Sequence, residues 1–256
     1  MIQKKLLTAA IIGAALLTCS CRSHYTLTGI EHTRILVDNR YDAHPDAAAA
    51  AYMAPYKHVV DSTMSPVVGE LARHMAAYRP ESELSNLLAD ILVWGGKQYG
   101  EKPVFGVYNI GGIRAALARG KVTWGDVLDV APFENKICFL TLKGKDVTRL
   151  FEQIAMRGGE GVSHSVNLVC TADGKLKSAR INGEPVDPER AYRIATLDYL
   201  AEGNDRLDAF LSKTEVNAPH EELNNVRFII MDYLKQQMAQ GKIVDSQIEG
   251  RIIIEE

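Results

Sequence analysis

Apolar residues recur at helical spacing in several long stretches and form short unbroken or alternating runs elsewhere. In "PESELSNLLADILVWGGKQYG" (80–100), Leu84, Leu87, Leu88, Ile91 and Leu92 fall on one helix face. "GKDVTRLFEQIAMRG" (144–158) puts Leu150, Phe151 and Ile154 on one face, and "EELNNVRFIIMDYLKQQMAQ" (221–240) reads as a late amphipathic helix. The stretch 45–78 also reads as helical, with Pro45 suited to a first turn. Pro55 and Pro66 are expected to kink or divide it. Strand patterns appear in "RILVD" (34–38), "PVFGVYN" (103–109), "KICFLTL" (136–142) and "AYRIATLDYLA" (191–201), and in the closing "GRIIIEE". "GVSHSVNLVC" and "KLKSARI" flank a turn signal, "TADG", and "TWGDVLDVA" is a short helix or turn. Helices and hairpins alternate without a βαβ rhythm, so the expected class is α+β, a layered mixed-sheet domain with a long N-terminal helical stretch.

The first twenty residues stand apart from this pattern. Lys4 and Lys5 precede an apolar run, "LLTAAIIGAALLT", that is shorter than the roughly 20 residues of a membrane span. Residues 1–20 therefore read as a signal peptide. The cysteines that follow add a bacterial lipoprotein reading. Cys21, preceded by Ser20, is the expected lipidated residue, with Cys19 the alternative. The chain is then expected to be exported and membrane-anchored through lipid, at the periplasmic or cell-surface side. Residues 21–43 read as a tether with a short strand, and 44–256 as the folded domain.

Composition narrows the remainder. The chain has 256 residues, 46% hydrophobic, enough for a sizeable core, and a net charge of −3 that argues against a nucleic-acid polymer as ligand. Cys138 and Cys170 lie in strand-like runs. Export would permit them to pair; two separate buried thiols is the plainer reading.

Candidate chemistry sits in three short motifs. "NIGGIR" (109–114) ends an apolar run with an amide, two glycines and an arginine. Its glycines suit either a tight turn or a close backbone approach to an anionic ligand. "APFENK" (131–136) offers Phe133 and Asn135; the ring is either core or a stacking surface for a base. "LDYLAEGNDRL" (197–207) offers Tyr199 and, in a turn, Gly203, Asn204 and Asp205. The carboxylate either holds the turn or accepts from sugar hydroxyls. "DAH" (42–44) and "GDVLD" (125–129) match two fragments of two-metal phosphoesterase signatures, yet none of the seven histidines falls in the contexts that would complete them.

In order, "APYKHVVDSTMSPVVGEL", "PESELSNLLADIL", "YNIGGIRAALARGKVTWGDVLDVAPFENKICFLTLKGKDV" and "YRIATLDYLAEGNDRL" resemble the C-terminal domain of the 5′-nucleotidase / UDP-sugar hydrolase family, over roughly residues 50–212. The resemblance absorbs "GDVLD" into this domain's own pattern. It implies that Asn109 and Arg114 contact a nucleotide, with Arg114 nearest phosphate or ribose, and that Gly112 permits close approach. Phe133 and Tyr199 would sandwich the base, with Asn135 beside them, and Asp205 would accept from the ribose. Arg79 lies near an upstream family arginine. The sequence departs from the family at Tyr199, commonly Phe, at the Gly203-Asn204-Asp205 turn, and at Ser163-His164-Ser165, where a Ser-Gly pair is expected.

In that family an N-terminal metallophosphoesterase domain carries the two metals, and residues 22–50 hold no counterpart to it. The expectation is a nucleotide-binding and specificity domain with no catalytic residue and no cofactor of its own. It would act with a separate metallophosphoesterase that bears the divalent metals, on nucleoside monophosphates or related nucleotides. The alternative is a stand-alone nucleoside- or nucleotide-binding lipoprotein without hydrolase activity.

Overall fold

The computed structural model describes residues 25–255. The expected signal peptide, with Cys19 and Cys21, lies outside the described residues. The chain divides after Tyr52 into two units. The described part of the first is irregular apart from a short 3-10 turn, Asn39–Tyr41, whose Arg40 amide donates to the Asp38 carboxylate at 3.0 Å, and the start of helix α1 (Ala47–Met64). Residues 34–38 are not a strand. Ile35, Leu36 and Val37 stay exposed, with no strand beside them among the described residues. Pro55 does not divide α1: a proline removes one amide donor, and the flanking turns remain helical. Pro66 does end it, and β1 (Val67–Leu71) follows where a helix was expected. Val67 and Val68 favour extended backbone, and β1 pairs antiparallel with β3 (Gly120–Thr123) across a register shift between Val67 and Gly69.

The second unit is organised by a five-stranded mixed sheet, in order β10 (Thr214–Asn217), β4 (Ile137–Lys143), β9 (Ala191–Leu197), β2 (Phe105–Tyr108) and β5 (Gly161–Val162). β2 and β9 run parallel, and the other neighbours are antiparallel. All four residues of β2 and six of the seven in β4 are buried, the signature of a sheet covered on both faces. Adjacent residues of β2 show what covers them. A Cβ on Gly106 would lie 2.5 Å from the Ala89 carbonyl, so α2 (Glu83–Gly95) presses directly on that face. Phe105, pointing the other way, packs its ring 5.5 Å from that of Phe151 in α4 (Gly144–Met156). The predicted apolar faces of both helices are the buried ones.

A four-stranded sheet, β11 (Ile252–Glu255), β6 (Val166–Thr171), β7 (Leu176–Ile181) and β8 (Glu184–Pro185), flanks this core. β11 is fixed by buried charge. Glu81 accepts from the Asn86 side chain at 2.7 Å and from the Glu249 and Arg251 amides at 2.7 and 2.8 Å. Arg251, 2% exposed, answers Asp90 at 2.7 Å and Glu249 at 2.9 Å. α6 (Val226–Ala239) buries Ile229, Ile230 and Leu234 and completes the layer beside α2. The short α3 (Trp124–Val130) and α5 (Asp198–Ala201) lie at the sheet's end. Cys138 and Cys170 are both buried and unpaired, and burial pushes the Cys138 thiol up to about 11.

Candidate functional site

Because β2 and β9 are parallel and β4 runs against them, the carboxyl ends of β2 and β9 and the amino end of β4 meet at one edge of the sheet. Ile137 is paired with Leu197 there. The three sequence motifs are the chain segments that leave or enter these strand ends. "NIGGIR" follows β2, "APFENK" precedes β4, and Tyr199 to Asp205 follow β9.

Asn109, 4% exposed, directly follows β2 and donates its Nδ2 to Asp205 Oδ2 at 2.7 Å. This bond fixes which way the amide points. Its Oδ1 is then a buried acceptor without a hydrogen-bond partner among the described residues, a cost that a donor from a ligand would remove. A 3-10 turn, Ile110–Gly112, follows. A Cβ at Gly112 would sit 2.6 Å from Asn109 Oδ1, so glycine is needed for the amide to hold this pose.

The loop before β4 is held from outside. Arg227, at the start of α6, donates to the carbonyls of Pro132 and Phe133, both at 2.9 Å. The Asn135 carbonyl accepts from the Val226 amide at 2.9 Å. With its backbone pinned, Phe133 presents a ring that is 49% exposed, and Tyr199 is 38% exposed. Asp205 lies in left-handed backbone, φ 57° and ψ 26°, which Asp tolerates at some cost in strain. Tyr199 donates its hydroxyl to Asp205 Oδ1 at 3.2 Å, and Asn204 donates to the Tyr199 carbonyl at 2.8 Å. Partial desolvation, helped by the Asp205 carboxylate, raises the Tyr199 phenol above its usual range, so it stays a donor.

These groups line one cleft of about 320 Å³: Asn109, Gly112, Phe133, Asn135, Tyr199, Asp205 and Arg79, together with Gly111 and Arg157. Of the residues expected at the site, Arg114 alone does not line it. Its guanidinium stands 5.9 Å over the Phe133 ring and donates to the Gly111 carbonyl at 3.3 Å. Two residues were missed. Arg157 follows α4, and Glu160, with no side-chain exposure, bonds Arg79 at 2.5 Å, Arg157 at 2.6 Å and the Ile110 amide at 2.6 Å. An acid after two glycines at the head of a strand, "GGEGV", was the available signal. The divergent Ser163-His164-Ser165 segment lines no part of this cleft. Ser163 accepts from the Gly106 amide at 2.9 Å, and His164 pairs with Glu249 at 2.7 Å.

The lining offers flat faces, hydrogen-bond partners and two cations, with no Ser, His or Cys to act as a nucleophile. Among the described residues no group of three or more His, Cys, Asp or Glu could hold a metal ion. Asp126 of "GDVLD" closes a capping box on α3, accepting from the Thr123 amide at 2.7 Å.

Comparison with known proteins shows the family of the chain. The family model described as "5'-nucleotidase, C-terminal domain" matches residues 64–212. Endonuclease YhcR of Bacillus subtilis is 33% identical over 165 residues, 61% of this chain and 13% of its own length. Protein UshA of Yersinia enterocolitica is 30% identical over 158 residues, 58% of this chain and 27% of its own. The chain therefore spans about an eighth to about a quarter of these relatives. The crystal structure of a 5'-nucleotidase precursor from Thermus thermophilus superposes with a TM-score of 0.69 at 26% identity, covering 83% of this chain and 44% of that one.

Proposed function

Since the chain belongs to the family of the 5'-nucleotidase C-terminal domain, we propose that it is the nucleotide-binding and specificity domain of a 5'-nucleotidase-type phosphohydrolase. It acts with a separate metallophosphoesterase. The observation that carries this reading is one cleft with Phe133 and Tyr199 as half-exposed aromatic walls and Asn109 and Asp205 as polar partners. Such a cleft suits a flat base joined to a hydroxylated sugar. The partner's metals would activate water; this chain would hold and orient the substrate. Export as a membrane-anchored lipoprotein belongs to the same proposal. The precursor nature of the Thermus relative supports export, and the sequence around Cys21 supports the anchor.

The test is calorimetric titration of the purified chain with AMP and adenosine, alongside an AMP hydrolysis assay with added divalent metal. Binding without turnover is expected. Metal-dependent hydrolysis that co-purifies with the chain, and vanishes in the Phe133→Ala variant, would refute the division of labour. The second reading, a stand-alone nucleoside- or nucleotide-binding lipoprotein without hydrolase activity, uses the same cleft. A two-metal phosphoesterase domain whose AMP turnover is the same with and without the chain would favour that reading.

A further inference from the structure

We propose that Arg157 is the second arm of a phosphate clamp, paired with Arg79 by the buried carboxylate of Glu160, which is the positioning residue for both. The inference rests on the nucleotide reading above and names which wall of the cleft takes the charged end of the ligand.

Glu160 has no exposed side-chain surface. A lone carboxylate there would be costly, and it is satisfied on both oxygens. Oε1 accepts from Arg79 Nη2 at 2.5 Å and from Arg157 Nε at 2.6 Å, and Oε2 accepts from the Ile110 amide at 2.6 Å. One carboxylate therefore sets the direction of two guanidinium groups and ties them to the turn after β2. Asp205, whose Oδ2 lies 3.8 Å from Arg157 Nη2, is the second carboxylate beside them, so the charges balance while both guanidinium groups line the cleft.

The arms also keep donors in reserve. Arg79 uses Nε on the Gly159 carbonyl at 2.9 Å and Nη2 on Glu160, leaving Nη1. Arg157 spends only Nε. Its Nη2 lies 3.8 Å from Asp205 Oδ2, beyond hydrogen-bond range, and its terminal nitrogens make no hydrogen bond among the described residues. A guanidinium held by one edge with its other edge unspent has the fork geometry that suits phosphate oxygens. The backbone makes the convergence possible. Gly159 has φ of 114°, and a Cβ on it would fall 2.2 Å from the Pro80 carbonyl, so the turn carrying Arg157 and Glu160 lies directly against the segment carrying Arg79. Arg157 reaches Glu160 on one side and lies 3.8 Å from Asp205 on the other, so the phosphate subsite adjoins the sugar acceptor.

The experiment is titration calorimetry of the full chain with AMP, adenosine and inorganic phosphate, for wild type, Arg157→Gln and Glu160→Gln. Circular dichroism melts report folding. Wild type should prefer AMP to adenosine. Arg157→Gln should lose about tenfold in AMP affinity, the worth of a charged hydrogen bond, and keep its adenosine affinity. Glu160→Gln, if folded, should narrow the same ratio; if it unfolds, Arg157→Gln decides. Equal losses for AMP and adenosine in Arg157→Gln, or no loss, overturn the clamp. Wild-type binding of adenosine as tight as AMP also overturns it and leaves the nucleotide reading standing. Phosphate binding that Arg157→Gln abolishes, with no adenosine binding, supports the clamp and overturns the nucleotide reading. No binding of any probe overturns both.

Discussion

Phe133→Ala separates a stacking ring from a core ring. Burying a whole phenylalanine side chain contributes about 1.5–3 kcal/mol, and Phe133 keeps 49% of its surface exposed, so about half of that is at stake. The Arg114 guanidinium 5.9 Å above the ring adds about 0.5–1 kcal/mol as an exposed cation–π contact. Folding should therefore lose on the order of 2 kcal/mol, which a domain of ordinary stability, about 5–15 kcal/mol, survives. Binding should suffer more specifically. An aromatic face under a base contributes about 1–3 kcal/mol, which is about 5- to 150-fold in Kd. Calorimetry with AMP and with ribose 5-phosphate, beside a thermal melt, reads both effects. AMP should weaken within that range while ribose 5-phosphate, which has no base, does not change. Equal weakening of the two ligands would sink the stacking assignment, and an unfolded variant would make Phe133 part of the core.

Three further outcomes test the surrounding structure. Gly112→Ala places a methyl 2.6 Å from Asn109 Oδ1; the amide can swing away, so the melt should barely move while adenosine affinity falls about tenfold with the lost contacts, read by calorimetry. Tyr199→Phe keeps the ring face and should retain most AMP affinity, whereas Tyr199→Ala should lose as much as Phe133→Ala in the same titration. The Arg193 guanidinium, bonded at 2.6 and 2.8 Å, holds the Glu101 carboxyl below its usual 4.5. That depressed pKa contributes stability above about pH 4.5 which disappears as pH falls through the lower folded value. Melting temperature should thus fall more steeply below pH 4.5 for wild type than for Arg193→Gln.

The sequence was most readable where a motif leaves a strand. Asn109, Gly112, Phe133, Asn135 and Tyr199 each sit within a few residues of a strand end, Asp205 follows one short helix later, and the sheet order brings those ends together. Arg157 and Glu160 were missed for the opposite reason. "RGGE" reads as a solvated helix end, and the partners that satisfy the buried Glu160 include Arg79 and the Ile110 amide, both far upstream. Arg114 stands outside the lining, with its guanidinium 5.9 Å over the ring of Phe133. The helix expected through 67–71 failed because a strand partner, β3, arrives from about fifty residues downstream, a pairing that no local periodicity contains.

Asp205 is oriented before any ligand arrives. Tyr199 holds one of its oxygens and Asn109 the other. A carboxylate has about four acceptor sites, so about two remain, and the internal bonds set the directions in which they point. On the proposed reading, a sugar hydroxyl would add to one of these sites without displacing a bond, so its placement would govern discrimination. The aromatic wall takes part in that orientation, because Tyr199 anchors one oxygen of Asp205. A residue change at 199 would then be felt in how the protein reads the sugar, several bonds away from the ring that was altered.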